Sequence, residues 1–137
     1  MTRPDQRTAT ILVADDVEET RDGIERLLEA DGYRVDPARD EADAVERAGR
    51  RRPDLILLSL GASHADAVVS AHRIRRLAAL SDDVPVVIFC IPTVDEGAEV
   101  ALGRNIFLTR PDNFDQLRRF LGRVLSGGAR TTGQARH

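Results

Sequence analysis

One cysteine, Cys90, is all that 137 residues contain, so the chain holds no internal disulfide and no multi-cysteine metal site. Basic residues are not in excess. Twenty of them face 23 acids for a net charge of -3, which leaves no electrostatic footprint for nucleic acid. No apolar run approaches the roughly 18 to 20 residues that a membrane span requires, and the opening MTRPDQRTAT carries no apolar signal segment. The expectation is a soluble, cytoplasmic protein that meets neither nucleic acid nor membrane. Aromatic residues make up only 4% of the chain, and its glycines form no G-x-x-x-x-G-K phosphate cradle. Both absences weigh against a small-ligand pocket.

What the chain does have is 42% hydrophobic and 31% charged residues in a length suited to one domain. Five short apolar runs read as strands: Thr10 to Ala14, Tyr33 to Ala38, Leu55 to Ser59, Pro85 to Cys90 and Ile106 to Thr109. The first, third and fourth are almost purely apolar, as strands covered on both faces are. The second, with charges and Pro37, reads as an edge strand.

Helical spacing fills the gaps. Ile24, Leu27 and Leu28 mark a first helix that stops near Gly32; Ala44, Val45 and Ala48 mark a second that ends in Arg50, Arg51 and Arg52. Val68, Ala71, Ile74 and Ala78 give a third, and a short, weakly amphipathic fourth is expected over Val94 to Leu102. The last carries Phe114, Leu117, Leu121, Val124 and Leu125 on one stripe, with Asn113 as its N-cap. Alternation of this kind predicts an α/β fold: a five-stranded parallel sheet with helices on both faces. Residues 10–126 form the predicted domain, between a flexible start over residues 1–9 and a flexible, Gly-rich polar tail over 127–137.

Ligands of such sheets collect at the carboxyl ends of the strands. Those ends carry Asp15 and Asp16, then Ser59, Cys90, and Arg110 before Pro111. Two adjacent carboxylates beside a buried strand repel each other unless a cation joins them, and either Mg²⁺ or a guanidinium meets that need.

The runs ILVADD, GYRV, RPDLILLSL, VPVVIF and FLTRP, in this order and spacing from about Thr10 to Leu125, resemble the response-regulator receiver domain of two-component signalling. That resemblance implies a flavodoxin-like (βα)5 fold with strand order 2-1-3-4-5. It also implies a site in which the acid pair binds Mg²⁺ and an aspartate ending strand three accepts a phosphoryl group from a histidine kinase. A Thr or Ser ending strand four and a Lys before a Pro after strand five hold the phosphate. Asp15 and Asp16 match the acid pair. Ser59 stands at the phosphoacceptor position, Cys90 at the Thr/Ser position and Arg110 at the lysine position, and the loop GASHADA has Ser63 and Ala67 in place of the usual proline and glycine.

Serine cannot form the mixed anhydride of a phosphorylated aspartate, and losing a third carboxylate weakens any Mg²⁺ site. Weak or absent metal binding is the expectation. Cys90 offers only a weak donor and reads as a small buried residue. Arg110 keeps a charge that can reach Asp15 or Asp16 in place of the metal. Asp66 reads as a helix N-cap, although it is also a conceivable substitute acceptor; His64 and His72 read as surface residues.

By the same resemblance, Phe107 matches a switch aromatic. The family's partner and dimer face, made by the fourth helix, fifth strand and last helix, displays Arg104, Asp112, Asp115, Arg118 and Arg119. The chain therefore reads as a non-enzymatic, stand-alone, degenerate receiver that contacts a histidine kinase, a response-regulator partner or a second copy through that face. Two alternatives stand beside it: a phosphate- or Mg²⁺-responsive receiver using another acceptor such as Asp66, and a small-ligand module on a flavodoxin-like sheet.

Overall fold

The computed structural model describes residues 9–60, 63–89, 95, 97–111 and 113–127. Its elements run β1 (Thr10–Asp15), α1 (Glu18–Ala30), β2 (Arg34–Ala38), α2 (Glu41–Arg50), β3 (Leu55–Ser59), α3 (His64–Leu77), β4 (Val86–Phe89), β5 (Glu99–Gly103), β6 (Ile106–Thr109) and α4 (Phe114–Leu125). One sheet takes the order β2-β1-β3-β4-β6-β5, parallel except for β5. The expected order of five parallel strands survives within it, and β2 is an edge as its charges and proline require.

The pleat divides the core in two. Leu12 and Ala14 of β1, Ile56 and Leu58 of β3, and Val86 and Ile88 of β4 pack under Ala44, Ala48, Ala67, Ala71 and Ile74 of α2 and α3. Ile11, Val13, Leu55, Leu57 and Val87 point the other way, onto Ile24 and Leu28 of α1 and Leu117, Phe120, Leu121 and Val124 of α4. Leu27, expected on the buried stripe of α1, is instead exposed. It lies one position round from Leu28, beyond the reach of the sheet.

Chain ends of the helices follow their caps. Gly32 has φ +97, its N–H reaches the Glu29 carbonyl and the Tyr33 N–H the Leu28 carbonyl, so the left-handed stop expected there closes α1. Asn113 Oδ1 accepts from the Gln116 N–H at 2.9 Å, as expected. Asp66 is not the cap of α3. Ser63 Oγ accepts the Asp66 N–H at 3.2 Å, and Asp66 sits in the first turn, where an acid complements the helix dipole.

A larger correction concerns the expected fourth helix. Glu99–Gly103 is a strand antiparallel to β6, and Val94 lies outside the described residues. Glycines at 97 and 103, with φ +85 and +94, punctuate the segment too closely for a helix of useful length. Gly103, Arg104 and Asn105 all have positive φ, and this left-handed turn reverses the chain into β6.

Arg75 holds that turn from beneath. It is 3% exposed; its Nη1 donates to the Arg104 carbonyl at 2.7 Å, and its Nη2 to the carbonyls of Val84 at 2.7 Å and Asn105 at 3.1 Å. Asp82 Oδ1 lies 3.4 Å from Nη1. One guanidinium thus ties the end of α3 to the start of β4 and to the β5–β6 turn.

Candidate functional site

In this strand order the chain leaves β1 toward β2 on one side and β3 on the other, which opens a crevice at their carboxyl ends. Asp15 and Ser59 flank it as register partners. Alternation along the strands puts both side chains on the α1/α4 face of the sheet, after Ile11 and Val13 in β1 and after Leu55 and Leu57 in β3. Asp15 is 2% exposed, Ser59 half-buried and Asp16 exposed.

The buried carboxylate is already committed. Asp15 Oδ1 accepts the Val17 N–H at 2.8 Å, which fixes the entry into α1, a helix with no side-chain cap of its own. Arg21 Nη1 donates to the Asp15 carbonyl at 2.7 Å. Burial pushes the Asp15 carboxyl above its ordinary range; the Val17 bond and the Arg21 charge pull it down, and Asp16 pushes it up. Arg21 is the residue that sequence inspection missed. Its position at the end of the first turn of α1 gave no sign that it folds back onto the strand end.

The sign of that shift makes a prediction. A carboxyl raised in the folded state costs stability while ionised, so Asp15→Asn, which keeps an oxygen for Val17, is expected to raise the melting temperature at pH 7. The gain shrinks as pH falls through the raised folded value and is gone below the unfolded value near 3.8. Thermal unfolding of both proteins from pH 7 to pH 3 checks it.

Further along the sheet, Leu58 pairs with Ile88 and Phe89 with Thr109, so the same row continues through Phe89 to Thr109. Thr109 is fully buried and its Oγ1 donates to the Ala98 carbonyl at 3.1 Å. Arg110 follows it on the exposed side, its N–H on the same carbonyl at 3.2 Å. The sequence contains no lysine, so an arginine here is what any basic position of this chain carries. Cys90 and Asp112 lie outside the described residues.

Phe107 is buried and meets Phe120 edge to face, with ring centroids 5.8 Å apart; Arg123 lies over the far ring at 5.4 Å. The residues expected on one partner face separate into two places. Asp115, Arg118 and Arg119 form one ion-pair cluster with Asp31, including Arg118 to Asp31 at 2.6 Å. Arg104 sits at the β5–β6 turn, 3.3 Å from Asp82, and a strand replaces the helix that was to complete the face. His72 is exposed. Among the described residues, no three His, Cys, Asp or Glu side chains come together as a metal site would need.

Residues 11–121 match the response regulator receiver domain family. The chain belongs to it. Response regulator MprA of Mycobacterium leprae is 29% identical over 109 residues, covering 78% of this chain and 46% of its own length. Transcriptional regulatory protein PrrA of the same organism is 33% identical over 103 residues, covering 74% and 43%. This receiver chain therefore spans less than half the length of these two relatives. A crystal structure of the receiver domain of the sensor histidine kinase PA1611 from Pseudomonas aeruginosa, with a magnesium ion coordinated in its active site cleft, is 28% identical with a TM-score of 0.64. It covers 87% of this chain and 98% of that one. Receiver domains share this flavodoxin-like sheet and are signalling modules that work with histidine kinases and other signalling proteins.

Proposed function

We propose that this receiver has lost aspartyl phosphorylation and acts in the cytoplasm by phosphorylation-independent contact with another signalling protein, over a domain of residues 10–126. The observation that carries the reading is the register of Asp15 with Ser59 at the crevice; by the family resemblance Ser59 stands at the acceptor position, so a hydroxyl takes the place of a carboxylate. A carboxylate attacks a phosphodonor as it stands. A serine hydroxyl needs a base beside it, and the carboxylate of its register partner Asp15 is buried and bonded to Val17.

The residues present fit Mg²⁺ poorly. A hard divalent cation takes several anionic oxygens, whereas this crevice offers one exposed carboxylate in Asp16, one buried and occupied in Asp15, and the neutral Ser59. Mg²⁺ binding is accordingly weak or lost. Cys90 and Arg110 stand at the phosphate-contact positions, and Arg110 supplies a fixed positive charge to the rim. Phe107, packed on Phe120, acts as a fixed core residue rather than a switch. The partner contact is the mixed-charge surface of α4, where Asp115, Arg118 and Arg119 are exposed.

Titrating the protein with beryllofluoride and Mg²⁺ while recording amide spectra tests this reading. No movement at Asp16 or Phe107 is expected at saturating concentrations. Coordinated shifts at both would mean that the crevice still senses an acyl-phosphate mimic.

A further inference from the structure

The two edges of the sheet are built differently. Along β2, Arg34, Asp36 and Pro37 guard the open side with charge and a missing donor. Along β5 every residue is exposed, and the stretch Val100-Ala101-Leu102 carries no charge and no proline. Its single acid, Glu99, is held within the chain by Arg123 and by Gln116 of α4. The Arg110 N–H donates to the Ala98 carbonyl, so the alternation of an antiparallel ladder turns the backbone groups of Val100 toward β6 and those of Glu99 and Ala101 outward. An edge with outward N–H and C=O groups and exposed aliphatics is a template for strand addition.

We propose that β5 is a self-pairing edge, on which a second copy of this chain docks antiparallel across a two-fold axis at Ala101. Charge complementarity selects a copy of this chain as the occupant. One end of the strand is acidic at Glu99, whose carboxylate stays 25% exposed beside Arg123 and can take a second cation, and the other leads into Arg104, which is 70% exposed and, among the described residues, has only a 3.3 Å contact to Asp82 as an ion pair. Antiparallel pairing lays each strand's acidic end beside the other's basic end, and a parallel arrangement would stack like on like. The same register sets Val100 opposite the partner's Leu102 twice, so two side chains that are 39% and 44% exposed in one chain cover each other in the pair.

Continuity of the sheet is preserved, because β5 is the outermost strand. The register shift between Ala101 and Gly103 interrupts the regular strand, which limits the pairing to a few bonds and makes it weak, with a dissociation constant on the order of tens of micromolar. This interface lies on the sheet edge, apart from the α4 surface, and does not depend on the fate of the phosphorylation site.

Sedimentation of the full chain over roughly 5 µM to 1 mM tests the proposal. A monomer–dimer equilibrium is expected. Ala101→Pro, which removes only the outward N–H, and the double variant Val100→Lys with Leu102→Lys, which opposes like charges across the axis, are each expected to weaken it at least tenfold. The double variant decides alone if Ala101→Pro does not fold, since both side chains are already exposed. Val100→Lys with Leu102→Glu, which opposes unlike charges, is expected to bring the dimer back. A chain that stays monomeric throughout would overturn the proposal, as would a dimer that the deciding variants weaken less than tenfold.

Discussion

Arg75→Ala is expected to be the most damaging single change in this protein, lowering stability by about 3 to 5 kcal/mol and the melting temperature by more than about 10 °C. The side chain is a positive charge in the interior, and burial pulls its ionisation down while Asp82 holds it up. Its worth lies in what it satisfies. Three carbonyls, of Val84, Arg104 and Asn105, take their donors from it, and two of them belong to residues in the left-handed turn before β6. Removing the guanidinium takes the donor from the Val84 and Arg104 carbonyls, leaves that of Asn105 with the Val86 N–H alone, and opens a cavity where the stem packed. Arg75→Met keeps the stem but not the donors, so it is expected to lose less than the alanine variant. Urea unfolding of the three proteins measures the ranking, and hydrogen exchange is expected to quicken at Arg104 and Asn105 in both variants. A loss below about 1 kcal/mol for Arg75→Ala would show that water replaces the guanidinium at no cost.

Ser59→Asp is the second large effect, and its size depends on Mg²⁺. The new carboxylate faces Asp15 as its register partner, at a separation of roughly 6 Å where like charges repel by about 3 kcal/mol near a protein surface. In EDTA the variant is therefore expected to melt several degrees below the parent. Three carboxylates at one crevice are also what a hard cation lacks in the parent chain. A site with a dissociation constant of about 1 mM adds nearly 2 kcal/mol at about 20 mM Mg²⁺, enough to offset most of the repulsion. Mg²⁺ is thus expected to raise the melting temperature of the variant and to leave that of the parent unchanged. If Mg²⁺ stabilises the parent as strongly, the acid pair binds metal without a third carboxylate.

How far these features could be read in the residues depends on how local their causes are. β1, β3, β4 and β6 were legible because continuous apolar runs admit few alternatives, and Gly32 and Asn113 because stop and cap chemistry acts within a few residues. β5 was not. GAEVALG suits a short helix or a short strand equally, and the choice falls to a tertiary matter, the pairing of Val100 with Leu108. Ser63 and Asp66 are both good cap residues three apart, and only geometry shows that the serine accepts and the aspartate donates.

At the candidate site, the juxtaposition of Asp15 and Ser59 followed from strand ends alone, since parallel strands of a doubly wound sheet bring their carboxyl ends together. The hold of Arg21 on the Asp15 carbonyl did not, because a long side chain that folds back six residues leaves no periodic trace. Arg75 illustrates the same limit. Its position in the last turn of α3 suits a solvent-facing cation at a helix C-terminus, and only the returning β5–β6 turn buries it.

The most direct test of the lost phosphoacceptor is intact mass spectrometry of the unmodified chain after incubation with acetyl phosphate and Mg²⁺, with Ser59→Asp alongside. An unchanged mass is expected for the chain as it stands, and uptake of one phosphoryl group for the variant. A labile gain of one phosphoryl group on the unmodified chain, whether carried by Asp66 or by another residue, would contradict the claim that this receiver signals without phosphorylation.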